Sequence, residues 1–171
     1  MRLRAAVAFA LVASALLAGC AGADQSGTPA EQMTTWVEGT SFGLTVRTMQ
    51  QDAARAATVV SRGTPAEVRT ACGVYLVDVE QANSVLPTPD SQASALLAQA
   101  YGSLGAAAHT CYAVPSSSTA RATFAKQQAS GLASLSEGTA RVEAVLGKPL
   151  SKVGGNTEGA SSAGGATGAT P

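Results

Sequence analysis

The chain has no isoleucine, one histidine and one tryptophan, and aromatic side chains make up only 4% of its 171 residues. A core without large rings must be filled by small aliphatic groups. Burying a leucine contributes roughly 1.5–3 kcal/mol and an alanine far less, so such a core is expected to be thin. A single histidine and three cysteines are too few ligands for a persuasive His/Cys metal cluster. There is no Gly-x-Ser-x-Gly elbow, and a lone histidine argues against nucleophilic catalysis. Basic and acidic residues balance at 11 each. Loss of Arg2 and Arg4 would leave a small negative excess, which is no footprint for nucleic acid. No run of alternating polarity marks a strand, so no phosphate-cradling glycine loop of the strand–loop–helix kind is expected. Asp78 and Glu80 stand two apart and point to different helix faces, and Glu137 and Glu143 read as solvated face residues. No catalytic residue, metal site or cofactor is assigned.

The N-terminus carries more information. Arg2 and Arg4 precede an apolar stretch from Ala5 to Leu17, which closes as Leu17-Ala18-Gly19-Cys20. The stretch falls short of the ~20 residues a spanning helix needs and has the parts of an export signal. Its end resembles the lipobox of bacterial lipoproteins, in which the cysteine is alkylated by diacylglycerol and becomes the first residue after cleavage. The resemblance implies lipidation of Cys20 and an anchor on the extracytoplasmic face of the cell membrane, since two acyl chains suffice for stable attachment. The alternatives are a soluble secretory signal cut after an Ala-x-Ala site, or a buried helix. Absent isoleucine, eight arginines to three lysines and abundant alanine are the usage of a GC-rich genome and point to high-GC Gram-positive bacteria.

The expected organisation is a signal peptide over 1–19, a lipidated tether over 20–28, a helical domain over 29–150 and a disordered Gly/Ala/Ser/Thr tail over 151–171. The fold class is all-α, an antiparallel four-helix bundle with one disulfide. The first helix begins at Thr28-Pro29, with a break near Gly39 to Gly43, and runs to Ser61 with Phe42, Val46, Met49, Ala53, Ala57 and Val60 inward. Thr64-Pro65-Ala66-Glu67 has the form of a capping box opening the second, which presents Val68, Cys72, Tyr75, Val79, Ala82 and Leu86. The third, about Pro89 to Tyr112, presents Ala93, Leu97, Ala100, Leu104, Ala107 and Cys111. The fourth, about Thr119 to Leu146, presents Phe124, Leu132, Leu135, Val142 and Leu146.

With Cys20 assigned to lipid, Cys72 and Cys111 remain as an even pair outside the cytoplasm and are expected to bridge. Two buried free thiols, or a metal site, are the alternatives. A tight turn at Pro87-Thr88 would leave the two sulfurs about 12 Å out of register. An extended Leu86 to Asp90 that lets the third helix overhang the second would bring them level. His109 is expected to cap a helix C-terminus, with haem or metal ligation alongside Met33, Met49 or Tyr112 as the alternative. Trp36 is expected to staple the first segment onto the bundle, with the membrane interface as its alternative.

The run from Cys72 through Leu86-Pro87-Thr88-Pro89-Asp90 to Cys111 resembles small actinobacterial cell-envelope lipoproteins, with a cysteine on each arm of a helical hairpin. That resemblance implies a bundle, a disulfide and an envelope location, and transfers no catalytic residue. The functional expectation is a non-enzymatic binding or scaffolding domain. Its partners would be the membrane, through Cys20, and an unknown envelope protein; a carrier of lipid or another small apolar ligand is the alternative.

Overall fold

The computed structural model describes residues 27–153. The expected signal peptide, Cys20 and the tail from residue 154 onward lie outside the described residues.

Among the described residues there are five α-helices and no strand: α1 (Pro29–Gly39), α2 (Phe42–Arg62), α3 (Pro65–Ser84), α4 (Ser91–Tyr112) and α5 (Ser118–Leu146). The count differs from the expected four because the anticipated break near Gly39 is complete. Ser41 takes a left-handed conformation at φ 52, and the turn it makes separates α1 from α2. The capping box at Thr64 and Glu67 is formed, and Thr28 with Glu31 makes a second at the start of α1. In each, the threonine hydroxyl accepts an orphan amide and the glutamate returns to the threonine N–H, 2.7 Å in both cases. Asp90 and Ser117 cap α4 and α5 with their side chains. The chain stays ordered just beyond Leu146: Leu150–Lys152 form a 3-10 turn, and Val153 packs against the core. Ser151 and Lys152, expected in the tail, therefore belong to the folded part.

The long helices run antiparallel in sequence order. Cys72 and Cys111 bridge α3 to α4, and further along the same seam an added Cβ at Gly105 would lie 3.8 Å from Val79. On α4 and α5, Leu104 faces Gly131 and Leu97 faces Gly138, so one number falls as the other rises. α2 also meets α5, where the Gln128 amide donates to the Ala53 carbonyl. The register set by the cysteines places Ser84, the last residue of α3, level with Gln99. The first two turns of α4, roughly 12 Å, therefore overhang α3.

The short α1 occupies that end of the molecule. It buries Met33 and Val37, and half-buried Trp36 donates from Nε1 to the Val85 carbonyl at 3.2 Å while its ring lies 5.0 Å from that of Phe42. The tryptophan is thus a staple between α1, α2 and the end of α3, as its position in the sequence suggested.

Most inward positions follow the sequence stripes. Ala57 is an exception: it is exposed and Ala56 is buried in its place. Two glycines on α5 also join the core. A Cβ on Gly131 would come within 2.6 Å of Leu104 side-chain atoms and 2.9 Å of its backbone nitrogen; one on Gly138 would come within 2.7 Å of Leu97. Glycine at these two places lets α4 and α5 approach until the leucines of one rest on the backbone of the other.

Candidate functional site

The cysteine pair is joined, with Cα atoms 5.7 Å apart and both residues fully buried. That separation lies within the range a disulfide requires. The register shift that permits it comes from the Pro-rich segment. Here Leu86–Pro87 is a cis peptide, and Thr88 is buried among hydrogen bonds to Ser94 and Asp90. The sulfurs lie near the end of the molecule that holds the Gly63–Thr64 turn and the 113–117 corner.

Asp90 ties down the opposite end. Its Oδ1 accepts the Ala93 N–H at 2.7 Å, capping α4, and its two oxygens receive Nε and Nη2 of Arg141 from α5 at 3.0 and 2.6 Å. The forked guanidinium bond, helped by the Ala93 amide and opposed by burial, holds the Asp90 carboxyl down at about 2. A groove between Pro29, Pro89, Asp90, Arg141, Ala144 and Val145 passes beside the pair.

Buried polar atoms without a hydrogen-bond partner occur on four helices, the hydroxyls of Tyr101 on α4 and Thr139 on α5 among them, but the α2–α3 seam also brings two acids together. Asp52 on α2 faces Asp78 on α3. Burial first, then the hydrogen bond and charge of Asp78, push the Asp52 carboxyl up to about 6 against the opposing pull of Arg55. Oδ2 of Asp52 is buried with no hydrogen-bond partner, and so is the hydroxyl of fully buried Tyr75. Burial and the charge of Asp52 both raise the Tyr75 phenol, which remains protonated at ordinary pH. Asp78 also lines an open groove of about 230 Å³ with Leu44, Thr48, Met49, Gln81 and Val85. This arrangement can share a proton between two carboxyls or receive a donor at the groove's edge. It lacks the histidine, thiolate or anion-stabilising amides that nucleophilic chemistry needs.

The structure separates the remaining candidates. Met33 and Met49 are fully buried, while His109 is exposed in the last turn of α4, so the methionines and the imidazole do not form a ligand set. Tyr112 is half exposed, with its ring near Gly73. Among the described residues no group of three His, Cys, Asp or Glu side chains is placed to hold a metal, and no helix is long and apolar enough to cross a membrane. Glu137 is exposed, but Glu143 has a structural task, accepting the Leu150 N–H at 2.8 Å.

Nothing in the sequence singles out Asp52. Neither its distance from Asp78 in sequence nor its residue type marks the pairing. Asp90 and Arg141, 51 residues apart, carry no local signal at all. No protein-family model, curated protein or solved structure matches this chain.

Proposed function

We propose that the protein is an extracytoplasmic lipoprotein of the bacterial cell envelope, anchored through Cys20, whose helical domain binds or scaffolds another envelope component. In this reading α2 to α5 form a four-helix bundle of up-and-down topology, and α1 is a clasp that leads from the anchor. The export-signal pattern ending in Leu17-Ala18-Gly19-Cys20 supports the address. The assignment of an actinobacterial source rests on composition and on the two-cysteine hairpin.

One observation carries the binding reading over the carrier reading: the close approach of α4 to α5. Leu97 and Leu104 fill the space above Gly138 and Gly131 so fully that even a methyl group would collide. A carrier of lipid would need a continuous apolar cavity of several hundred Å³ between helices; the α4–α5 seam has no room for one, and open grooves such as that beside Asp90 and Arg141 favour surface recognition.

Two experiments on the full chain in its native envelope test the proposal. Cys20→Ala is expected to release the protein from the membrane fraction or leave it uncleaved; mature-sized protein still in membranes would overturn the anchor. Crosslinking of the wild-type protein is expected to capture a stoichiometric envelope component. Copurified lipid detected by mass spectrometry, with no such component, would establish the carrier instead.

A further inference from the structure

Charge is unevenly distributed along the molecule although the totals balance. The disulfide, the Gly63–Thr64 turn and the 113–117 corner mark one end. Near it stand Arg62 at the end of α2, Arg69 in the first turns of α3 and Arg121 in the first turn of α5, with Arg55 and Lys126 about two turns in from the helix ends. All five are exposed. The carboxylate at this end is Glu67, already committed to its capping box with Thr64. Exposed His109 stands near the same end. Asp52, Asp78 and Glu80 lie further along α2 and α3, toward the middle.

None of the five cations makes a salt bridge among the described residues, where the only such pair joins Arg141 to Asp90 at the other end. Arg121 instead donates to the carbonyls of Pro115 and Ser116 at 3.4 and 3.2 Å. That bond helps fix the corner, as does Val114. Its side chain packs on the core although its backbone sits at φ 55, a conformation β-branched residues avoid. The basic end is therefore a disulfide-stapled surface on which, among the described residues, Arg62, Arg69 and Lys126 have no charge partner, while Arg121 is held by the corner carbonyls and Arg55 is drawn to Asp52.

Its position matters equally. Residues leading into α1 and out of the 3-10 turn both belong to the opposite end, where Pro29 lies by Pro89 and Arg141, and Leu150 lies by Gly43. The described chain therefore begins and ends away from the basic end. Four of its five cations are arginines, whose planar forks match phosphate oxygens bidentately and hold them better than lysine does.

We propose that the disulfide-stapled end is an electrostatic docking surface for a phosphate-bearing anionic polymer of the envelope. The proposal rests on the binding reading above and names the chemistry of the partner. Attraction between exposed cations and a polyphosphate chain is governed by counterion release, so binding weakens steeply with salt.

The test uses the full chain in an uncharged detergent with inorganic polyphosphate as the probe, titrated at low and at physiological salt. Binding is expected at low salt and is expected to fall about tenfold or more as salt rises. The variant Arg62→Glu/Arg69→Glu is expected to lose a further tenfold or more at constant salt, while Lys148→Glu/Lys152→Glu, reversing charges at the other end, stays within about twofold. Circular dichroism of both variants confirms that helices persist. Equal losses in the two variants, no binding at low salt, equal affinity for poly-L-glutamate, or preference for phosphatidylglycerol vesicles over soluble polyphosphate would each overturn it. Failure here together with a captured envelope partner would leave the binding reading standing on another surface. Failure of both would remove that reading.

Discussion

The α4–α5 seam, whose helices are the richer in alanine, and the α2–α3 seam are packed in contrasting ways. Between α4 and α5, Gly131 and Gly138 admit Leu104 and Leu97 directly onto the helix backbone. Between α2 and α3, the contact includes two carboxyl groups, a buried phenol with no hydrogen-bond partner and an open groove. A seam of the first kind gains dispersion from every atom and tolerates no added volume. The second gives up packing and sets a carboxyl pair together; buried hydroxyls without a partner, which cost stability, occur on both sides, Tyr75 on α3 and Tyr101 and Thr139 on α4 and α5. The contrast teaches where this thin core is strong and where it is free to respond. α4 and α5 form the more closely packed half, and α2 with α3 form the half in which a raised carboxyl makes stability depend on pH near neutrality.

The Cys72–Cys111 bridge ties these halves together, since it joins a helix of one seam to a helix of the other. Its removal is expected to give the largest effect. By loop-closure entropy, Cys72→Ser/Cys111→Ser should cost about 3–4 kcal/mol, read as a lowered urea midpoint and, in a domain with so little large apolar burial, partial unfolding at 37 °C. A double variant as stable as the parent would mean that packing alone holds the register.

Adding volume to each seam sharpens the contrast at the next level. Gly131→Val places its Cβ against the Leu104 backbone nitrogen as well as its side chain, so relaxation requires the helices to part. The expected cost is about 3 kcal/mol. Thr48→Leu, which adds volume where Thr48 lines the open groove, is expected to change stability by no more than about 0.5 kcal/mol. Equal effects of the two, measured by urea denaturation, would erase the distinction between seams.

The smallest expected effect is on pH dependence. Asp52 in the folded chain titrates near 6, above its ordinary 3.8. Between these values the folded state binds more protons than the unfolded chain, so the contribution of Asp52 to stability is fully present below 3.8 and is lost as pH rises through about 6. Asp52→Asn cannot ionise and should not show that loss, so its stability relative to the parent should increase from pH 4.5 to 7. Asp90, held near 2 by Arg141, shifts in the opposite sense: its contribution is present above its ordinary value and is lost as pH falls toward 2, outside this interval. Parallel profiles for Asp52→Asn and parent would show that the carboxyl is solvated and the α2–α3 seam no more responsive than its neighbour.

Much of the architecture was legible because helix signals are local. Thr64 with Glu67, the prolines at 87 and 89, and the inward stripe of α4 can each be read within a few residues, and all three are realised. The overhang was expected from an extended Leu86 to Asp90; the register of Cys72 and Cys111 is as expected, but the segment that sets it holds a cis Leu86–Pro87 peptide and bends at Pro89 and Asp90. The division into α1 and α2 was visible as a weak point near Gly39, but the separation itself depends on Trp36 finding Phe42 and the Val85 carbonyl. The candidate site was far less legible. Asp52 and Asp78 look like solvated acids on their own helices. Only the packing of α2 on α3 takes Asp52 out of water and turns its residue type into an altered proton affinity.

The sequence by itself determined the helices, their caps, most inward residues and the cysteine pairing, because hydrogen bonding and apolar periodicity act over a few residues. Tertiary structure alone decided that two glycines would form the tightest contact, that two acids would face one another, and that five scattered cations would gather at one end. Those outcomes depend on which helix faces which and in what register, and both are set by packing the whole chain at once.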